Sequence, residues 1–135
     1  MPIINVNVAA KPSKELSRAI AEKVTAITQA ELRKDPTITA VAVQYIDPDH
    51  WFAGGKSLAE QDTSSYWLDI KVVDGTNTKP ELAKYLAALF AAMGGLLGGI
   101  HNESYALIDE VSAAAYGYGG KTQEFRFIAG QLGVR

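Results

Sequence analysis

Two runs of this sequence invite a nucleotide-binding reading: GGKS at residues 54–57 and GGKT at residues 119–122. Gly-Lys-Thr closes a phosphate loop, but such a loop needs another glycine five positions before the Gly-Lys pair and a helix behind it. His50 and Ala115 occupy those positions, and each run follows a β-like segment with no apolar helix expected after it. The runs are offset by 65 residues, which points to a duplicated turn and away from a phosphate site.

The other reactive side chains are sparse. The chain has no cysteine, which excludes disulfides, thiolate nucleophiles and thiolate metal sites. His50 and His101 have no ligand-like spacing to acidic residues and read as surface residues, so no metal is expected. Asp47, Asp49, Asp109 and Glu110 fall beside strand ends, where carboxylates are ordinarily solvated. Pro2 differs, because its nitrogen is a non-basic amide inside a chain and a secondary amine at a free N-terminus. Removal of Met1, common before a small second residue, would create that base. The alternative is that Pro2 simply opens an edge strand, where its missing N–H does no harm.

The elements that would position these groups are legible as periodicities. Residues 2–8, PIINVNV, alternate as a strand, and Leu16, Ile20, Val24 and Ile27 give one apolar stripe to a helix over Ser13 to Arg33. Asp35-Pro36 ends that segment, and Ala40 to Ile46 reads as a strand. The order then repeats: a strand over Tyr66 to Val73, a helix opened by the Thr78/Glu81 capping box and ended by the glycines of GGLLGG at 94–99, and a strand over Tyr105 to Val111. QYIDPDHWFAGGKS (44–57) superposes on DEVSAAAYGYGGKT (109–122), with Trp51 over Tyr116.

Right-handed crossovers in both halves predict an α/β (α+β) fold of duplicated β-α-β units, about 2–57 and 66–122, within one domain over residues 1–135. A four-stranded sheet would carry two helices on one face. Its other face would be bare, and another copy of the chain is the simplest cover, so a closed homo-oligomer is expected.

Composition agrees with a folded domain. Among 135 residues, 47% are hydrophobic and 21% charged, and the formal charge of −2 offers no basic field for nucleic acid or anionic membrane. MPIINVNV lacks a basic leader and a long apolar stretch, so a cytoplasmic protein with neither nucleic-acid nor membrane partners is expected.

PIINVNV at the start, the β-α-β-β-α-β order, and the turn WFAGG echoed by YGYGG together resemble the tautomerase superfamily, which includes 4-oxalocrotonate tautomerase and macrophage migration inhibitory factor. The resemblance covers nearly the whole chain. It implies a homotrimer, and hairpin turns at GGKS and GGKT that reach toward a neighbouring subunit. It further implies a tautomerase that uses Pro2 as general acid and base on a small 2-keto acid, with no cofactor or metal. By the same resemblance Trp51 matches an aromatic wall, Tyr105 matches a tyrosine contributed by a neighbour, and Tyr116 adds a third aromatic. The family's arginine positions hold Pro12 and Ala40, with Val73 and Thr76 near two others. Lys11 and Lys34 are the remaining candidates for a clamp on the substrate carboxylate, without the bidentate fork of arginine. The rival expectations are hydration, dehalogenation or decarboxylation on the same scaffold, which the missing arginines disfavour, and a trimeric binding protein without turnover.

Overall fold

The computed structural model describes residues 2–133. Strand β1 (Ile3–Ala9) alternates buried Ile4, Val6 and Val8 with half-buried Ile3, Asn5 and Asn7. Helix α1 (Lys14–Leu32) begins where the Ser13 hydroxyl accepts the Leu16 N–H at 3.1 Å, and it buries Ile20, Val24, Thr28 and Leu32 at four-residue spacing. Arg33, in the left-handed conformation, closes it, and Pro36–Ile38 then forms a single 3-10 turn. Strand β2 (Ala40–Ile46) leads through a second such turn, Pro48–His50, to the hairpin β3 (Phe52–Ala53) and β4 (Lys56–Ser57).

The second half repeats the first. Strand β5 (Tyr66–Val73) is followed by helix α2 (Lys79–Leu97), which opens with the complete Thr78/Glu81 capping box and ends at left-handed Gly98. Strand β6 (Tyr105–Val111) and the hairpin β7 (Gly117–Tyr118) and β8 (Lys121–Thr122) complete it. The helices 14–32 and 79–97, strands 40–46 and 105–111, and both hairpins keep the offset of 65 residues throughout. GGKS and GGKT are therefore hairpin turns. Gly54 and Gly55 have φ of 65° and 80°, and Gly119 and Gly120 have 61° and 79°, the paired positive values that a two-residue type I′ turn requires.

The sheet order is β2-β1-β5-β6, with β1 and β5 antiparallel at the centre and each outer strand parallel to its neighbour. Helices α1 and α2 pack on one another and cover one face, where Ile4, Val6, Leu68 and Ile70 meet Ile20, Val24, Leu89 and Met93. By length and composition α2 could cross a bilayer, but it carries the core residues Tyr85, Leu89 and Met93. The opposite face has no covering element among the described residues. It presents Trp67, Tyr105 and Leu107 beside a polar row of Asn5, Asp69, Lys71 and Asp109, so it is more polar than strands buried on both sides.

Three expectations are corrected. A third helix, α3 (Gln123–Leu132), follows GGKT immediately, capped by the Thr122 hydroxyl on the Phe125 N–H. The two-helix count therefore fails, as does the absence of a helix behind the second turn. Pro2, moreover, does not open an edge strand: it stands just before β1, an interior strand, and its carbonyl accepts the Ala40 N–H at 3.1 Å.

Candidate active site

The strand directions bring the start of β1 together with the start of β2 and the ends of β5 and β6, because β1 runs with β2 and against β5. Ile3 is in register with Ala40 on one side and Lys71 on the other, and Lys71 with Asp109. Pro2 is buried at this end, in a cavity of about 480 Å³ walled by Ile3, Thr37–Ala40 and Tyr116–Tyr118. Most of this lining is apolar or aromatic.

Tyr116 is one of the two tyrosines that the chain itself sets beside Pro2. Its hydroxyl donates to the Lys71 carbonyl at 3.3 Å, and a backbone hydrogen bond from Ile3 reaches its oxygen. Burial raises its pKa, against the opposing effects of that bond and of the Lys71 cation. Lys71 itself is engaged by Asp69, Nζ to Oδ1 at 2.7 Å, which raises its pKa.

Lys34 lies next to this cavity, one turn before Thr37. Its ammonium donates to the Thr76 hydroxyl at 2.9 Å, and burial, then the Arg33 cation, lower its pKa. It lines a larger cavity of about 800 Å³, bounded by the 33–35 segment, Val73, Thr76, Ala113 and one face of α3. Arg33 is committed elsewhere, to Glu81 at 2.8 Å.

Within one chain the remaining candidates lie at the far end of the sheet. Trp51 packs with Ala9, Ala53 and Leu58 beyond the end of β1. Tyr105 starts β6, in register with Trp67, meets that ring edge-on at 6.3 Å, and donates a short hydrogen bond to Glu103. Lys11 is exposed just past β1. Seven strand residues at ~3.3 Å each separate this group from Pro2 by roughly 20 Å. The six candidates thus divide into Pro2, Lys34 and Tyr116 at one end and Lys11, Trp51 and Tyr105 at the other. His101 accepts the Glu103 N–H at 2.9 Å through Nδ1, and no cluster of metal-ligating side chains occurs among the described residues.

The chain places further residues here that sequence reasoning passed over. Tyr118 walls the Pro2 cavity, while Gln123 and Arg126 of α3 line the larger one. The helical stripe of Phe125, Ala129 and Leu132 was the available signal for α3.

Comparison with known proteins accords with this geometry. Residues 2–61 match the family model described as Tautomerase enzyme. No curated protein matches the chain by sequence. Among solved structures, a fused 4-OT wild-type symmetric trimer is similar with a TM-score of 0.78 at 12% identity, covering 90% of this chain and 96% of that one. A macrophage migration inhibitory factor-like protein from Entamoeba histolytica has a TM-score of 0.75 at 20% identity, over 90% and 97% of the two chains. A malonate semialdehyde decarboxylase inhibited by 3-bromopropiolate has a TM-score of 0.73 at 17% identity, over 98% and 99%. The chain thus shares the fold of these structures over at least 90% of its length, and its residues 2–61 match the Tautomerase enzyme family model.

Proposed function

We propose that this chain is an isomerase that interconverts the enol and keto forms of a small 2-keto acid, with the nitrogen of Pro2 as general base and acid. The observation that carries the reading is the burial of Pro2 in an apolar and aromatic cavity at the one sheet end where Ile3, Ala40 and Tyr116 converge. The role requires loss of Met1, a residue outside the described part of the structure.

An α-amino group ordinarily titrates near pH ~8, and apolar burial disfavours its ammonium form, bringing the neutral amine into the working range. In the ketonisation direction the neutral Pro2 amine takes the enol hydroxyl proton, and the resulting ammonium returns a proton to the neighbouring carbon as the carbonyl forms. Atoms and charge balance over the cycle. Tyr116 and Tyr118 would flank a ring or alkyl body and exclude water, and Lys34 would offer charge to one carboxylate. Assembly with further copies, as in the neighbours described as trimers, would bring Trp51, Tyr105 and Lys11 of another subunit into range of Pro2.

Enol consumption followed by ultraviolet absorbance on Met-free protein tests this. Phenylpyruvate enol should ketonise faster than the dicarboxylate 2-hydroxymuconate, and Pro2→Ala should lose most of the rate while keeping its circular dichroism. Full activity in Pro2→Ala removes the assignment. A preference for 2-hydroxymuconate removes the monocarboxylate specificity. Decarboxylation of a β-keto acid with no enol turnover would move the chain to another reaction on the same fold.

A further inference from the structure

The cavity under α3 contains more hydrogen-bond donors than its own residues satisfy. Gln123 is only 6% exposed, and its Nε2 has no partner among the described residues; the buried Nε of Arg126 has none either. Buried donors are nearly always paired in native proteins, and two orphans on successive turns of one helix, lining one cavity, indicate acceptors that come from outside the chain. The N-terminus of α3 is not the source of this deficit: the Gln123 and Glu124 N–H groups are bonded to the Tyr116 and Ala113 carbonyls at 2.8 and 3.0 Å.

Arg126 is held in place before any ligand arrives. Its guanidinium stacks on the Tyr118 ring at 3.8 Å, and Nη2 donates to the Tyr118 carbonyl at 3.0 Å. These contacts fix the plane of the fork and leave the Nε–H unpartnered. Lys34, across the same cavity, spends one of its three donors on Thr76 and retains two. Two carboxylates also line the space. Asp35 is turned onto its own turn, accepting from the Thr37 N–H at 2.9 Å and hydroxyl at 2.7 Å, while Glu124 is exposed.

Resting on the Pro2 reading, we infer that this cavity is the carboxylate compartment of the Pro2 site, with Arg126 as the primary anion ligand, Gln123 as its neutral partner donor and Lys34 opposite. Tyr118 joins the two spaces, since one ring walls the Pro2 cavity and carries the Arg126 cation. The Lys34–Ala40 segment joins them a second time, with Lys34 in one lining and Thr37 in the other. Val73, Phe127 and Ile128 supply an apolar wall, which suits a monocarboxylate with a hydrophobic body.

The test uses 3-phenylpropionate, which has the carboxylate and ring but no enolisable keto group, with 3-phenylpropionamide as its uncharged counterpart. Calorimetric titration of the full chain should show the carboxylate bound and the amide at least tenfold weaker. Arg126→Gln and Gln123→Leu should each weaken the carboxylate about tenfold, Arg126→Lys should recover part of the loss, and the exposed Lys84→Gln should change nothing. Because Arg126 also braces Tyr118, unmodified protein carrying ¹⁵N-arginine provides a second measurement: the Arg126 Nε–H resonance should shift on titration with the probe. Equal binding of acid and amide, or a stationary Nε–H resonance at saturation, overturns the inference. A bound probe that moves this resonance in a protein without enol turnover would leave the clamp standing and remove the Pro2 reading. Enol turnover with a KM untouched by Arg126→Gln would do the opposite.

Discussion

The guanidinium of Arg126 lies 3.8 Å from the centre of the Tyr118 ring and donates to that residue's own carbonyl. Tyr118 walls the cavity that holds Pro2, so α3, the last helix described, is tied to the first strand through one aromatic side chain. The hairpin that carries Tyr118 is accordingly as important to the site as the residues that line it.

Gly117 is where that hairpin is least tolerant. A Cβ there would stand 2.0 Å from the Lys121 carbonyl oxygen, a backbone atom that cannot move aside without opening β7 from β8. Gly117→Ala should displace Tyr116 and Tyr118 and lower kcat/KM by about 100-fold, the scale of loss that a misplacement of ~1 Å can cause. Steady-state kinetics beside a far-ultraviolet spectrum checks this; unchanged kinetics would show that the hairpin does not shape the site.

Beneath the sheet, Tyr85 donates to the Thr28 hydroxyl at 2.8 Å, while Thr28 donates to the Val24 carbonyl at 2.7 Å. Both side chains are fully buried, and burial pushes the Tyr85 pKa up to about 12. Tyr85→Phe removes one buried bond between α1 and α2 and leaves Thr28 with its other, so the expected cost is about 1 kcal/mol. Urea unfolding at fixed protein concentration reads it, and an unchanged midpoint would contradict it.

Glu81 joins the cap of α2 to the end of α1. The Arg33 guanidinium beside it, first, and the Thr78 N–H hold its pKa down to about 2 from an ordinary 4.5. A depressed carboxyl stabilises the folded state fully above its unfolded value, and that contribution is lost as pH falls from 4.5 through 2. Wild type should therefore lose more Tm than Glu81→Gln over that interval, with the two curves converging toward pH 2. Parallel curves would show that the pair contributes nothing measurable at this exposed site.

The bare sheet face predicts assembly. Tyr105 and Leu107 there are 56% and 48% exposed, and Phe127 and Leu132 of α3 are 67% and 72% exposed. Sedimentation equilibrium should report three chains, and Leu107→Glu should reduce the mass to one. A stable monomeric wild type at micromolar concentration would remove both the packing argument and any site completed by a neighbour.

Periodicity made the two halves legible because each helix and strand has a regular apolar side: the stripe from Ile20 through Val24 to Leu32 and the alternation in β1 both face one core. The capping box at Thr78 and the glycine pairs at 54–55 and 119–120 were local signals that kept their meaning in the fold. Helix α3 escaped because its apolar residues Phe125 and Ile128 remain exposed, so they do not report a core within the chain. Arg126 and Gln123 were lost with it. Separation of Tyr105 from Pro2 was likewise invisible in spacing, since it is set by the antiparallel pairing of β1 with β5, while that of Trp51 follows from the parallel pairing of β1 with β2.

The central claim, that the Pro2 nitrogen is the acid–base group, is tested most directly by titrating that nitrogen out of action. Met-free protein would be acylated in steps at a pH that keeps lysines protonated, the blocked fraction measured by mass, and phenylpyruvate enol ketonisation assayed at each step. Activity is predicted to fall in proportion to the blocked fraction and to vanish when every N-terminus is capped; protein that is fully blocked at Pro2 and still turns over the enol at its original rate would contradict the account.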